Sequence, residues 1–560
     1  MSVKPLRGSA ARRLSIFLTL FAATATGAMA QLVISSNPQY FNYNGTPIAL
    51  VGISGEYLPH VTRPTKQNDY ATWESYIPYI NDITARGLNK IHIWADINHS
   101  IGFLDGLGAP YQYEQPFFWN GSRWRLDRFE PNFFTRLKAV IAYAETKGVI
   151  VEVTLFDVWQ GDYTTSPWYP VGRNIWFDSG GVQHADAGFT QRGYMASFEN
   201  GNVDVDQRNI DTRALQVKYV QRIVSELNQY RNFYWEIANE PDFNTVSGPI
   251  NITAMVNWHN FMAQTIVAAE APLPNKHKIG VNFITQAAVT QVRNGLLNPA
   301  IEIVSGHYVD ISVKNGTPAR WGAITMNRTY NSTATPINKV FGFNETTISP
   351  APSNRLSSRA EAWEFMMSEG GLYDNLGYQW NTPVETKPCT DPTIAAASTA
   401  LLRCDLGRLT GFLAPLNLAN MSRQIGQKPS WITNGLVNYG AFDPIAGTNT
   451  FWGAMQWAGQ QYAFYYHHST ISAAAGAKKY DPVVGNYSPA GLPRSFTFSL
   501  GGAAGFFKLE WFYYAPGSPK IQSTLVESIF WNGTPIVKNA PNYNYDLGIR
   551  ITRCPGAGAC

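Results

Sequence analysis

The stretch from Phe233 to Asn244, FYWEIANEPDFN, decides the fold of this chain. It begins with a run rich in aromatic and β-branched side chains, Phe233–Ile237, which predicts a strand buried on both faces. Pro241 cannot continue regular strand pairing, so the strand is expected to end at Asn239-Glu240. In a parallel α/β barrel the carboxyl ends of the strands carry the reactive groups. Glu240 is therefore a candidate acid or base.

A second carboxylate stands at the end of another predicted strand. The segment 339–343, KVFGF, is typical of a buried strand, and Asn344 and Glu345 follow it directly. Glu345 lies 105 positions after Glu240, which leaves room for two further strand-helix units. This spacing makes Glu345 a candidate for a second carboxylate at the barrel mouth. The alternative is that Glu345 is a solvated turn residue within a glycosylation sequon, Asn344-Glu345-Thr346.

Other acidic residues are substitutes for Glu345 in that role. Asp310 is one, and Glu369 is another, although Glu369 is predicted at a helix end on the wrong face of a barrel. Asp157 and Glu152 are weaker candidates. Glu152 falls in the middle of a predicted strand, so it is expected either to be buried or to pair with a cation.

Strand and helix patterns alternate along most of the chain. Eight strands are predicted, at 47–53, 88–94, 149–156, 233–237, 277–284, 301–305, 339–343 and 372–378. This order predicts an α/β fold, a (β/α)8 TIM barrel over residues 31–425 with an N-terminal hairpin at its bottom. Residues 426–560 change to short β-rich runs between turn residues, which predicts a small C-terminal β-sandwich domain.

Three local predictions accompany this fold. Residues 110–129 are expected to form a loop before a helix at 131–147. A capping box, Ser358 with Glu361, predicts the start of a helix after the strand at 339–343. Residues 406–421 are predicted to form the eighth barrel helix.

Further polar and aromatic side chains stand where predicted strands end. Trp94 closes the strand at 88–94, and Asp157 and Trp159 follow the strand at 149–156. All three are expected to face a ligand at the barrel mouth. The long aromatic and Gly-rich stretch 159–209 is expected to build one wall of a cleft.

The tripeptide Asn239-Glu240-Pro241, with a strand ahead of it and a second Glu downstream, resembles a known signature. It is similar to that of the clan A retaining glycoside hydrolases, the cellulase-like superfamily that includes family 5. The resemblance implies that Glu240 is the general acid/base and that Asn239 hydrogen-bonds the sugar 2-hydroxyl. It also implies that Glu345, at the end of strand seven, is the nucleophile.

The resemblance extends to three less specific positions. Clan A members commonly carry a His and a Tyr near the end of strand six, and His307 and Tyr308 stand there. The two are adjacent here, whereas the clan usually spaces them as H-x-Y. Trp380 lies where the clan often has a Trp that floors the subsite at the cleaved bond. These three residues are therefore predicted to bind substrate.

One departure from family 5 lies in the second strand. The family pattern G-x-N-x-x-R places an Arg there, and in this chain Gly87 and Asn89 are followed by His92. The resemblance assigns to that Arg the support of the nucleophile. His92 is expected either to substitute as a hydrogen-bond donor at the site or to be a satisfied core residue. The departure predicts a divergent member of the clan.

Composition excludes several functional classes. The chain has 45% hydrophobic, 15% charged and 14% aromatic residues, with 17 Trp and 29 Tyr. Few charges and many rings fit the binding of uncharged sugars by stacking, although a large aromatic core would give the same composition. A net charge of +4 without basic runs beyond the leader gives no support for nucleic-acid binding. No P-loop or dinucleotide fingerprint occurs, so no nucleotide cofactor is expected. No metal is expected either, because cleavage by two carboxylates requires none.

The N-terminus predicts export. Basic residues precede an apolar stretch, Leu14–Ala28, and Ala28-Met29-Ala30 fits a cleavage site, so residues 1–30 are predicted to be a signal peptide. No later apolar stretch is long enough to cross a bilayer, so no membrane partner is expected.

The four cysteines fit an oxidising compartment. Local pairing of Cys389 with Cys404 and of Cys554 with Cys560 is the economical choice among three connectivities. A tetrahedral metal site is the alternative, but the chain has no C-x-x-C and no paired His near these residues.

Together these features predict a secreted retaining β-glycoside hydrolase, extracellular or periplasmic, that acts on plant or microbial polysaccharides or oligosaccharides. One rival is a noncatalytic carbohydrate-binding or adhesion protein on a barrel scaffold. Another is an inverting hydrolase, whose carboxyl groups stand more than about 6.5 Å apart. The sugar, endo or exo action and oligomeric state are left open by the sequence.

Overall fold

The computed structural model describes most of the chain from residue 31 onward. The described residues are 31–55, 58–60, 76–96, 115–120, 124–157, 212–242, 251–283, 297–307, 338–345, 355–375, 387–391, 393–394, 399–424, 429–434, 450–472, 479–482, 495–515 and 522–560. The predicted signal peptide lies outside these residues.

Thirteen strands precede residue 376 in the described ranges. They are β1 (Val33–Ile34), β2 (Phe41–Tyr43), β3 (Thr46–Ile48), β4 (Leu50–Ser54), β5 (Lys90–Trp94), β6 (Phe117–Trp119), β7 (Trp124–Phe129), β8 (Ile150–Asp157), β9 (Phe233–Asn239), β10 (Ile279–Phe283), β11 (Ile301–His307), β12 (Val340–Glu345) and β13 (Leu372–Asn375). Eight of them, β4, β5 and β8 to β13, form a closed parallel barrel in chain order. The ring closes where Leu372 of β13 pairs with Leu50 of β4. The predicted (β/α)8 barrel is thereby confirmed.

The N-terminal hairpin covers the bottom of the barrel, as predicted. Strand β1 pairs with β2, and β2 pairs with β3 through a turn at Asn44 and Gly45. Both turn residues have positive φ, as a two-residue hairpin turn requires. Leu32, Phe41 and Tyr43 pack in one apolar cluster with residues near the starts of the barrel strands. The opposite end, where the strands terminate, is left for the functional side chains.

Six α-helices lie in the described ranges. They are α1 (Tyr76–Ala85), α2 (Pro131–Thr146), α3 (Thr212–Leu227), α4 (Ile252–Glu270), α5 (Arg355–Met366) and α6 (Thr399–Leu413). Helix α2 shows why such segments are helical: Phe134, Leu137 and Ile141 repeat at helical spacing and are all buried against the barrel. Glu130 caps this helix by accepting a hydrogen bond from the Asn132 backbone.

Three local predictions were wrong. Residues 110–129 contain the hairpin β6–β7 instead of only a loop, because their aromatic residues favour strand pairing. Ser358 lies inside helix α5 instead of capping it, since the helix already includes Arg355, which is held by Asp405 at 2.7 Å. Helix α6 begins before residue 406 and ends at Leu413, because Pro415 cannot continue a helix.

The C-terminal strands form two antiparallel sheets. They are β14 (Ser422–Arg423), β15 (Ile432–Asn434), β16 (Thr450–Trp457), β17 (Gln461–Ser472), β18 (Lys479–Pro482), β19 (Ser495–Phe498), β20 (Gly505–Tyr514), β21 (Gln522–Trp531), β22 (Ile536–Asn539) and β23 (Asn544–Arg553). A seven-stranded sheet holds β14, β16 to β18, β20, β21 and β23, and a three-stranded sheet holds β15, β19 and β22. Trp431, Phe498 and Trp511 belong to the apolar cluster between them. The predicted C-terminal sandwich is confirmed.

Helix α5 lies between the barrel and the seven-stranded sheet. Trp363 stacks on Tyr465 of that sheet with ring centroids 5.1 Å apart. The guanidinium of Arg359 lies 2.8 Å from the Asp546 carboxylate and 3.9 Å from the centre of the Tyr514 ring. The helix that follows β12 is therefore buried on one side by the barrel and on the other by the sandwich.

The structure has disulfides between Cys389 and Cys404 and between Cys554 and Cys560. These are the predicted pairs. None of the helices in the described ranges is both long and apolar enough to span a membrane.

Candidate active site

Glu240 follows directly on strand β9 and has an unusual backbone conformation. Its φ is +47°, in the left-handed region that residues other than glycine seldom occupy. The backbone N–H of Glu240 donates to Asn282 Oδ1 at 2.8 Å, which helps to hold this conformation. The side chain is only 2% exposed. Backbone strain of this kind is concentrated at functional sites.

Glu345 ends strand β12 and is aimed by a bulge. Phe343 pairs with Gly306 of β11, but the next pair is Glu345 with His307, so Asn344 is an extra residue. A bulge of one residue redirects the side chain that follows it. Glu345 is 5% exposed, and its carboxylate turns toward His307.

His307 joins the two acids. Its Nδ1 atom lies 3.0 Å from Glu240 Oε1 and 3.0 Å from Glu345 Oε2. One oxygen of each carboxylate and this nitrogen all lie within 4.8 Å of one another. Two acids far apart in the sequence thus meet at the carboxyl ends of the barrel strands, in the arrangement predicted for them.

Two of these groups, Glu240 and His307, have pKa values shifted by their neighbours. Burial and the neighbouring Glu345 raise the pKa of Glu240 to about 7. Burial alone would lower the pKa of His307, but Glu345 and Glu240 raise it well above its usual value. Below pH 7 the arrangement therefore favours a protonated Glu240 beside a positively charged His307.

Asn239 and Asp157 lie at the same end of the barrel. Asn239 Nδ2 donates to Asp157 Oδ1 at 3.4 Å, between the ends of β9 and β8. Asn282, which the sequence analysis missed, donates from Nδ2 to Asn239 Oδ1 at 3.5 Å. Asn282 thus contacts both Asn239 and the backbone of Glu240. The only signal for it in the sequence is a polar residue inside the otherwise apolar strand β10.

His92 and Trp94 lie deeper in the barrel. His92 is fully buried, with Nε2 2.7 Å from Thr154 Oγ1 and 2.8 Å from Glu236 Oε2. Trp94 stacks on the His92 ring with centroids 3.9 Å apart and is 1% exposed. The immediate partners of His92 are residues of the barrel interior, which agrees with the expectation of a satisfied core residue. A substrate contact by either residue stays a prediction.

An ionic cluster fills the barrel interior below the two acids. Lys90 Nζ lies 2.7 Å from Glu152 Oε2 and 2.6 Å from Asp374 Oδ2. Glu152 is thus both buried and paired with a cation, the two alternatives foreseen for it. Burial alone would raise the pKa of Glu152, but His92 and Lys90 lower it to about 2. His92, Glu152 and Asp374 have the chemistry of metal ligands, but the ammonium of Lys90 already occupies the place of a cation.

Several residues predicted for the active site are not among the described residues around Glu240, His307 and Glu345. Tyr308, Trp159 and Trp380 lie outside the described residues, as does Asp310. Glu369 accepts a hydrogen bond from the Arg423 backbone at 2.8 Å, at the edge of the sandwich. Its placement agrees with the expectation that Glu369 is on the wrong face of the barrel.

Comparison with known proteins relates the chain to others through its fold. No family model matches the sequence, and no curated protein matches it. A candidate glycoside hydrolase from Bacteroides vulgatus has a similar structure, with 13% identity, a TM-score of 0.50, and coverage of 94% of this chain and 82% of that one.

Two mannanase structures are also similar. The β-mannanase of the mussel Mytilus edulis has 14% identity and a TM-score of 0.40 over 70% of this chain and 97% of its own. The endo-1,4-β-mannanase of Rhizomucor miehei has 13% identity and a TM-score of 0.45 over 69% of this chain and 100% of its own. At these values the two carry no argument about activity. The Bacteroides protein, at 13% identity, shows that the two chains share a fold.

Proposed function

We propose that this protein is a retaining β-glycoside hydrolase, with Glu240 as general acid/base and Glu345 as nucleophile. The observation that carries the proposal is the meeting of these two carboxylates around His307, with oxygens within 4.8 Å. Retaining enzymes hold their two carboxyl groups about 5 Å apart, whereas inverting enzymes separate them by about 6.5 Å or more. The separation therefore favours retention over the inverting alternative.

The first step needs a proton on the leaving oxygen and a nucleophile at the anomeric carbon. Glu240, with a pKa of about 7, supplies the proton. Glu345 attacks from the other side of the sugar and forms a glycosyl ester as the bond to the leaving group breaks. His307 Nδ1 lies 3.0 Å from an oxygen of each carboxylate, so it holds the two acids in register on either side of it.

The second step reverses the role of Glu240. Once Glu345 is esterified, its negative charge no longer raises the pKa of Glu240, so the Glu240 carboxylate becomes stable. It then takes a proton from the water that attacks the glycosyl ester, and the sugar leaves with its original configuration. We assign to Asn239, which contacts Asp157, a hydrogen bond to the sugar 2-hydroxyl.

The substrate class is carbohydrate, and the sugar remains to be identified by experiment. The leader at residues 1–30 and the two disulfides support secretion, either extracellular or periplasmic. We assign catalysis to the barrel, residues 31–425, and a supporting role to the accessory domain, residues 426–560. A noncatalytic carbohydrate-binding protein is the rival, and two buried Glu residues on one His argue against it.

The first test is a substrate panel with a matched pair of variants. Purified mature protein is incubated with arabinans, galactans, mannans, xylans and glucans, and reducing ends are measured. Glu240→Gln is expected to lower kcat on the cleaved polysaccharide roughly 10²- to 10⁴-fold, because general acid catalysis is lost. Glu302→Gln is the control, since Glu302 pairs with Lys278 near the start of its strand, away from the acids. Binding without hydrolysis across the panel would favour the noncatalytic rival.

The pH profile tests the proton on Glu240 separately. We expect kcat/KM to fall as pH rises through about 7, because a raised pKa keeps the proton on Glu240 below that pH and releases it above. An aryl glycoside whose leaving group needs no proton should lose this alkaline limb in its first step. The same limb in Glu240→Gln would assign it to another group.

A further inference from the structure

The bulge at Asn344 raises the question of what holds it. In parallel pairing without the bulge, Asn344 would face His307, and Glu345 would lie one position further along. A shift of one residue turns a side chain to the opposite face of a strand. The contact between Glu345 and His307 therefore depends on the extra residue staying where it is.

The amide of Asn344 is anchored inside the barrel. Its Nδ2 donates to Glu152 Oε1 at 2.9 Å and lies 3.3 Å from Glu236 Oε2. His92 Nε2 lies 2.8 Å from Glu236 Oε2, one of the two carboxyl groups that the amide meets. Contacts from strands β8 and β9 thus converge on one residue of β12.

The anchoring groups are themselves fixed. Glu152 is ion-paired with Lys90, and Glu236 accepts a hydrogen bond from Thr154 Oγ1 at 2.9 Å. Burial and the charge of Glu152 raise the pKa of Glu236 well above its usual value. The amide therefore meets one carboxylate held by a cation and one carboxyl group that keeps its proton, and all of these side chains are buried. A buried network of this kind allows few alternative arrangements.

We propose that Asn344 is a positioning residue for Glu345, and that its anchorage on Glu152 and Glu236 fixes the bulge that aims Glu345 at His307. The proposal also gives a role to His92, which stands where the family 5 pattern has an Arg. Where family 5 has an Arg that supports the nucleophile, this chain has His92, which contacts Glu236, one of the two groups that hold the residue before the nucleophile. The proposal rests on the proposed function for its kinetic consequence, but its structural content can be tested without substrate.

The test compares Asn344→Ala with a matched control, Asn232→Ala. Asn232 is another buried amide, which donates to the Ile141 and Val149 carbonyls at the start of β9, far along that strand from Glu240. Both variants lose buried hydrogen bonds, so both are expected to lower Tm. Asn344→Asp keeps the shape of the side chain but removes its N–H donors. It replaces Asn344→Ala in the test if the alanine variant does not fold.

The readout is the titration of His307, followed by NMR of isotope-labelled histidine and assigned with a His307→Gln sample. In Asn344→Ala the pKa of His307 is expected to fall by about one unit or more, because Glu345 moves away. On the cleaved substrate kcat is expected to fall about 10- to 100-fold with little change in KM, as for a misplaced reacting group. Asn344→Asp should show the same losses, larger as pH rises and the new carboxyl group ionises. Asn232→Ala should leave the His307 titration and kcat unchanged.

A folded Asn344→Ala or Asn344→Asp protein with the His307 titration and kcat of the Asn232→Ala control overturns the proposal. If the wild-type protein hydrolyses nothing, the proposed function fails, while the histidine titration still decides whether Asn344 positions Glu345. The two failures are therefore distinguishable.

Discussion

Replacing Glu345 by alanine is expected to abolish hydrolysis, with a loss of about 10⁴-fold or more in kcat, as for the removal of a nucleophile. Within the described ranges, Glu240 and Glu345 are the carboxylates paired with His307 Nδ1, so no other described side chain is placed to take over the attack. The measurement is the release of a good leaving group from an aryl β-glycoside of the sugar that the panel identifies.

Azide distinguishes this role from a structural one. In Glu345→Ala the space left by the side chain admits azide, which attacks the anomeric carbon while the leaving group departs, and the glycosyl azide formed has inverted configuration. In Glu240→Ala, azide attacks the glycosyl ester of Glu345 and the product keeps the substrate configuration. Glu302→Ala should retain wild-type activity and form no azide product. A Glu345→Ala enzyme with near wild-type kcat, or a glycosyl azide of retained configuration from it, would contradict the assignment.

Deleting residues 426–560 is expected to leave a barrel that does not fold on its own. The deletion uncovers helix α5, exposes Trp363 and takes Asp546 and Tyr514 from Arg359. Leaving a buried charge without its partner costs about 3–5 kcal/mol, and each large apolar side chain returned to water costs about 1.5–3 kcal/mol. These losses compare with a total stability of about 5–15 kcal/mol for a typical protein.

The measurement is the yield and thermal unfolding of residues 31–425 beside those of residues 31–560. Asp546→Asn in the full chain provides a milder variant, which should lower Tm without loss of folded protein. A truncated barrel that unfolds cooperatively within a few degrees of the full chain would show that the sandwich is dispensable for folding.

Deleting the sandwich also bears on the candidate active site, because helix α5 connects the two. Helix α5 follows β12, and Phe365 of this helix packs against Phe343, two residues before Glu345. The sandwich therefore supports, through one helix, the strand that carries the proposed nucleophile.

Local patterns in the sequence were enough to predict the barrel strands, because strands buried on both faces are marked by apolar runs and by the residues that stop them. Glu240 was found this way, through Pro241 and the run before it. Glu345 was predicted from the resemblance to clan A, in which the nucleophile ends strand seven, and its position after the run KVFGF and its distance from Glu240 supported that choice. Short loops closed by disulfides were also readable, since the cysteines in each pair are near in sequence.

Helix boundaries near the sandwich were not predictable in the same way. Ser358 and Glu361 form a capping pattern, yet Arg355 is already helical because Asp405 and Tyr514 hold its guanidinium from other parts of the chain. A local signal was overridden by tertiary contacts that the sequence order does not reveal.

The sequence by itself determined which residues end the barrel strands, and so that Glu240 and Glu345 would lie at the same end. Only the tertiary structure decided how they are aimed. The left-handed backbone of Glu240 is supported by Asn282, and the bulge before Glu345 is held by Glu152 and Glu236. These contacts arise when strands distant in sequence close into a ring, and no local preference for strand or turn encodes them.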